Sequence, residues 1–86
     1  MTKQYHITII GRVQGVGFRY YTLSKAKAFE ITGWVRNTIE GNVEIIAQGK
    51  NIDAFLETLK YGPGRIEKIH HELEKVETFD RFQIKH

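Results

Sequence analysis

Along this chain the spacing of apolar residues changes several times, and each change marks a structural element. Tyr5, Ile7 and Ile9 alternate with His6, Thr8 and Ile10, the two-residue period of a half-buried strand running to Arg12. Phe18, Thr22, Ala26 and Phe29 recur at steps of four and three, which predicts a helix from Phe18 to Phe29. Ile31 to Asn37 reads as a short strand, closed by the turn Thr38-Ile39-Glu40-Gly41-Asn42 and answered by an antiparallel strand from Val43 to Gln48. Asn51 stands where it would cap a second helix, whose Ile52, Phe55, Leu56 and Leu59 fall on one face, and Gly62-Pro63 stops it. Ile66 to Val76 and Phe79 to Ile84 alternate again, as one strand with a loop or as two short strands. Repeats and low-complexity tracts are absent from the sequence.

The resulting order, βαββαβ, carries two amphipathic helices that must bury their apolar faces on one side of a sheet. It predicts an α+β, ferredoxin-like sandwich with a mainly antiparallel sheet. Eighty-six residues at 41% hydrophobic content make one domain, expected over residues 1–86, with one core. Thirteen basic against ten acidic residues leave a net charge of +3, which suits an anionic small molecule and falls short of a nucleic-acid-binding tail. The chain has no cysteine, so disulfide and thiolate chemistry are excluded. No signal-like apolar core and no run near the ~20 residues of a membrane span is present, so a cytoplasmic monomer with no membrane partner is expected.

Between the first strand and the first helix lies Gly11-Arg12-Val13-Gln14-Gly15-Val16-Gly17-Phe18-Arg19. Gly15 and Gly17 are free to take positive φ and so aim successive backbone N–H groups at one point, where the helix adds its own unpaired amides and the positive end of its dipole. Such a nest is an anion cradle, and Arg19 adds a planar fork of donors suited to phosphate. A positive charge in the first turn opposes the helix dipole, which is consistent with an anion expected beside it. A helix of about eleven residues descends ~16 Å, and a strand of about six climbs back ~20 Å, so Asn37 should return to the level of the cradle. Arg19 and Asn37 are therefore expected to face one pocket.

The run Gly11 to Arg19, with Thr22 after it, resembles the first signature of the acylphosphatase family. Gly33-Trp34-Val35-Arg36-Asn37, with Gly41, Val43 and Gly49, resembles the second, and the similarity continues through Gly62-Pro63 to Phe82-Gln83-Ile84. The resemblance implies a ferredoxin-like fold and hydrolysis of acyl phosphates to carboxylate and inorganic phosphate, without metal or cofactor. It also implies that Arg19 binds the phosphoryl group, together with the segment Gln14, Gly15, Val16, Gly17 and Phe18, and that Asn37 positions the attacking water. The sequence departs from the family at Glu30, where glycine commonly ends the first helix; a glutamate held there in a left-handed conformation costs on the order of 1 kcal/mol.

For that reaction the residue chemistry is sufficient. The leaving group is a carboxylate whose acid has a pKa of ~4, so it departs without a general acid. Arg19 and the loop amides can neutralise phosphoryl charge in place of Mg²⁺. Asn37 both donates and accepts, so it can orient a water it is too weakly basic to deprotonate, leaving a phosphoryl oxygen as proton acceptor. His70-His71-Glu72 on a strand would point to alternate faces and lacks zinc-like spacing, so no metal site is expected. Tyr20, Tyr21, Trp34 and Phe18 read as core or pocket wall, Arg12 and Arg36 as exposed. Two rivals remain on sequence: an RNA-binding sheet, which Gln14 to Tyr21 imitates in the wrong structural context, and an anion-binding module without turnover.

Overall fold

A computed structural model of the protein describes residues 2–86. Strand β1 spans Lys3–Arg12, helix α1 Phe18–Ala28, β2 Thr32–Asn37, β3 Val43–Gly49, α2 Ile52–Leu59, β4 Arg65–Glu74 and β5 Phe82–Ile84. The sheet order is β4-β1-β3-β2-β5, antiparallel throughout except for the parallel pair β2 and β5. The ferredoxin-like α+β expectation is met. The C-terminal segment forms two strands, the second of the options read from sequence, but only one is short: ten-residue β4 and three-residue β5 lie on opposite edges of the sheet.

Register explains which residues are inside. The rows Ile9-Val43-Asn37, Ile7-Ile45-Val35 and Tyr5-Ala47-Gly33 cross β1, β3 and β2 on the face covered by the helices. Ile7, Ile9, Val35, Val43, Ile45 and Ala47 are fully buried there against Phe18 and Ala26 of α1 and Ile52, Phe55 and Leu59 of α2. The alternate rows, Thr8-Glu44-Arg36, His6-Ile46-Trp34 and Gln4-Gln48-Thr32, look out on the helix-free side. On β4 a register shift between Ile10 and Gly11 gives the edge strand one extra residue. Ile66 and Ile69, three apart, therefore both pack against the core, which simple alternation would have forbidden.

The ends of the elements hold two surprises. Asn51 occupies the N-cap position of α2 but makes no side-chain cap; its Nδ2 instead donates to the carbonyl of Phe29, tying the start of α2 to the end of α1. Helix α1 closes in a Schellman arrangement, with Ile31 N–H bonded to Ala26 O at 2.8 Å and Glu30 N–H to Lys27 O at 3.4 Å. Glu30 takes φ 56°, the left-handed position foreseen for it, and is the one non-glycine residue with positive φ among the described residues. Among the described residues no helix is long and apolar enough to cross a membrane.

Candidate functional site

The C-terminal end of β1 feeds a glycine-containing loop that leads into the N-terminus of α1. Gly15 has φ 72° and Gly17 φ 87°, with Gly17 in the N-cap position of α1 in a left-handed conformation. Tyr21 N–H, bonded to Gly17 O at 3.0 Å, is the first amide of α1 to find a partner in the helix, so those of Phe18, Arg19 and Tyr20 precede the ladder. Outside the helices and strands, none of the N–H groups from Gln14 to Gly17 donates to backbone. No side chain caps this helix and no acidic residue lies in its first turn. The result is a run of unneutralised donors at a positive dipole end, an arrangement that attracts an oxyanion.

The nest has a solid back. Phe18, which follows Gly17, is buried in the core, and Thr22 Oγ1 donates to its carbonyl at 2.9 Å. Residues 62–64 lie against it: a Cβ on Gly62 would strike the Phe18 ring, and one on Gly64 would meet the carbonyl of Arg12 and come within 2.8 Å of Val16 Cγ2. Sequence reading had used Gly62-Pro63 to end α2 and as part of the family resemblance, without a role at the nest, and had given Gly64 none. The supporting contact spans some fifty residues, and no local pattern carries such a signal.

Arg19 is half-buried in the first turn of α1, and its Nη1 reaches 3.5 Å from His86 Nδ1. His86 lies two residues past the last pair of the β2 and β5 register, Val35 with Ile84, as Asn37 does on β2. Asn37 ends β2 in the row of Ile9 and Val43, which turns its side chain to the helix side of the sheet. Its Oδ1 is buried and has no hydrogen-bond partner. Gln14 joins the loop to this strand end, since its Nε2 donates to Thr38 O and to Asn42 O, each at 2.8 Å. Sequence reading had counted Gln14 among the phosphate ligands through its backbone amide, and its side-chain bonds to the hairpin were not foreseen.

The helix-free side offers different chemistry. Glu44 receives hydrogen bonds from His6 Nε2 and Arg36 Nε, both at 2.6 Å. Burial pushes the Glu44 carboxyl up, but the bonds from His6 and Arg36 outweigh it and hold the group below its ordinary value. Trp34 is covered on that face by Lys85, 4.5 Å from its ring centre, and by Arg36 at 5.3 Å. A cleft of about 440 Å³ runs beside the hairpin between Thr8, Arg36, Asn37, Thr38, Glu40 and Glu44; it reaches the end of β2 at Asn37 but does not include Arg19 or the loop before α1. Two carboxylates in its wall make it a poor anion site, and the central strands β1 and β3 show His6, Thr8, Glu44 and Ile46 rather than the exposed aromatics a base-stacking sheet requires. Of the aromatic residues expected in core or wall, Phe18 is buried and Tyr21 donates to Thr58 O at 2.6 Å, but Tyr20 is 66% exposed because it lies opposite the buried face of α1. His70 and His71 diverge: the first bonds Glu72 at 3.1 Å and the second sets its ring edgewise to Tyr5.

Comparison with known proteins agrees in extent with the elements that build this site. The acylphosphatase family profile matches residues 5–84. An acylphosphatase of Oceanobacillus iheyensis is 41% identical over 86 residues, covering 93% of this chain and 94% of its own. The crystal structure of an acylphosphatase from Bacillus subtilis superposes with a TM-score of 0.94 at 38% identity, with all of both chains covered. Full-length HypF in its phosphate- and nucleotide-bound form superposes with a TM-score of 0.88 at 28% identity, where this chain matches 12% of the larger protein.

Proposed function

Because the chain belongs to the acylphosphatase family, whose reaction is the hydrolysis of acyl phosphates, we propose that Arg19, the amides of Gln14 to Arg19 and Asn37 divide that reaction between them. The amide nest and the Arg19 guanidinium hold the phosphoryl oxygens and neutralise the charge that moves onto them as the bond to the acyl oxygen stretches. Asn37 holds a water against the phosphorus. The water oxygen forms the new P–O bond, the acyl C–O–P linkage breaks at phosphorus, and the bonding pair leaves on a carboxylate. The water's proton passes to a phosphoryl oxygen, which gives dihydrogen phosphate and requires no protein base.

The observation that carries this reading is the Asn37 side chain. A buried acceptor without a partner costs about 1 to 3 kcal/mol, and native structures tolerate few of them. That oxygen is committed to no protein donor, and a small turn of the carboxamide would present it to a water at the strand end that Gln14 ties to the nest. In support, the helix start lacks both a side-chain cap and an acidic residue that would compete with substrate.

The test follows benzoyl phosphate hydrolysis in chelator, with inorganic phosphate as competitor. Arg19→Ala is expected to lose ~10²-fold or more in kcat/KM together with phosphate inhibition, whereas Asn37→Ala loses a similar factor in kcat and keeps phosphate inhibition. Normal turnover by Asn37→Ala removes its assigned role. Phosphate binding by a parent protein that turns nothing over would instead identify an anion-binding module.

A further inference from the structure

We propose that Gln14 is a positioning residue that acts through Asn37, locking the water-holding strand end to the phosphate nest; this rests on the reading of Asn37 given above. Both hydrogens of its amide nitrogen are committed to the hairpin, one to Thr38 O and one to Asn42 O. Its side-chain donors are thus spent on protein and none remains for a phosphoryl oxygen. The two carbonyls it grips form the neck of the hairpin. Thr38 N–H donates to Asn42 O at 2.9 Å, Asn42 N–H to Thr38 Oγ1 at 3.1 Å, and Gly41 N–H to Thr38 O at 3.1 Å.

Thr38 is bonded through both N–H and C=O, and it directly follows Asn37. Thr38 N–H, in the peptide after Asn37, is held by Asn42 O, the carbonyl that Gln14 also grips, so Gln14 steadies ψ of Asn37 through that shared acceptor. Among the described residues no hydrogen bond fixes Oδ1 of the Asn37 carboxamide. Its aim therefore depends on the backbone beneath it, and among the described residues Gln14 is the side chain whose hydrogen bonds cross from the nest to that backbone, over 24 residues of sequence. A displacement of about 1 Å between bound phosphate and attacking water is enough to cost ~10²-fold in rate. Glutamine meets the requirement: asparagine is one methylene too short, and glutamate or methionine fills the space without the two donors.

A kinetic cycle decides the matter, using the full chain, benzoyl phosphate turnover and competition by inorganic phosphate. Gln14→Met should lower kcat about tenfold while the inhibition constant for phosphate stays within twofold of the parent. Combined with Asn37→Ala, it should cost almost nothing further, since the residue through which it acts is already gone. Losses that multiply in the double variant overturn the proposal, as does a phosphate constant that weakens in step with kcat, which would make Gln14 a phosphate ligand. Normal turnover in Asn37→Ala alone is a different failure, of the underlying reading. If the methionine variant does not fold, Gln14→Ala removes both donors without adding charge and runs the same cycle.

Discussion

Two carboxamides stand at opposite ends of one sheet and are treated in opposite ways. Gln4 is fully buried at the end where β1 begins, and every atom of its amide is used. Its Nε2 donates to Glu77 Oε1 at 2.8 Å and Glu74 Oε1 at 3.3 Å, and its Oε1 accepts from Glu77 N–H at 2.9 Å and Gln48 Nε2 at 3.1 Å. This saturated amide hooks the connection between β4 and β5 onto the sheet as it passes from one edge to the other. Asn37, at the far end of β2, keeps a buried oxygen unpaired. The first end is fully satisfied and the second leaves one buried acceptor unpaired, so the two ends differ in hydrogen-bond satisfaction more than in composition.

The sharpest test of that contrast exchanges stability for activity. Asn37→Ala should cost ~10²-fold in kcat and leave the midpoint of thermal unfolding unchanged or raised, because the deleted group was unsatisfied. Gln4→Met should do the reverse, lowering stability by about 2 kcal/mol, or roughly 10 °C in Tm, with kcat retained below the transition. A large loss of Tm in the first variant, or of kcat in the second, would dissolve the distinction.

A smaller effect lies between the two ends. Glu44 titrates below its ordinary value of 4.5 because of His6 and Arg36, which prevail over burial, so the native state favours its charged form. That stability is present above pH 4.5 and disappears as pH falls through the lower native value. The parent should therefore lose stability more steeply than Glu44→Gln as pH drops from about 5 to 3, as read by Tm at each pH. Parallel curves would mean that the ion pairs leave the titration of Glu44 unaltered.

The smallest effect tests whether the strained end of α1 bears on the site. Glu30 holds φ 56° at the end of α1, away from the nest, where it serves helix closure alone. Glu30→Gly should stabilise the protein by up to about 1 kcal/mol, a few degrees in Tm, with unaltered turnover. A change in kcat would tie this helix end to the site after all.

Much of this was legible from residue order. The two-residue period of Tyr5 to Ile10 and the helical spacing of Ile52, Phe55 and Leu59 each follow from which side chains must leave water, and such periods are local properties of the chain. The glycines of the nest, the arginine beside them and the asparagine after the next strand were visible for the same reason: each is short-range chemistry in a short segment. What the tertiary structure alone decided involves partners far apart in sequence. Gly64 behind Val16, the hold of Gln14 on Thr38 and Asn42, and the crossing of the last connection beneath Gln4 to the opposite edge all depend on backbone atoms that no local pattern specifies. Hydrogen bonding is the physical reason. A polar group must find a partner wherever the folded chain offers one, so whether it is satisfied is known only once the sheet has brought distant strands together.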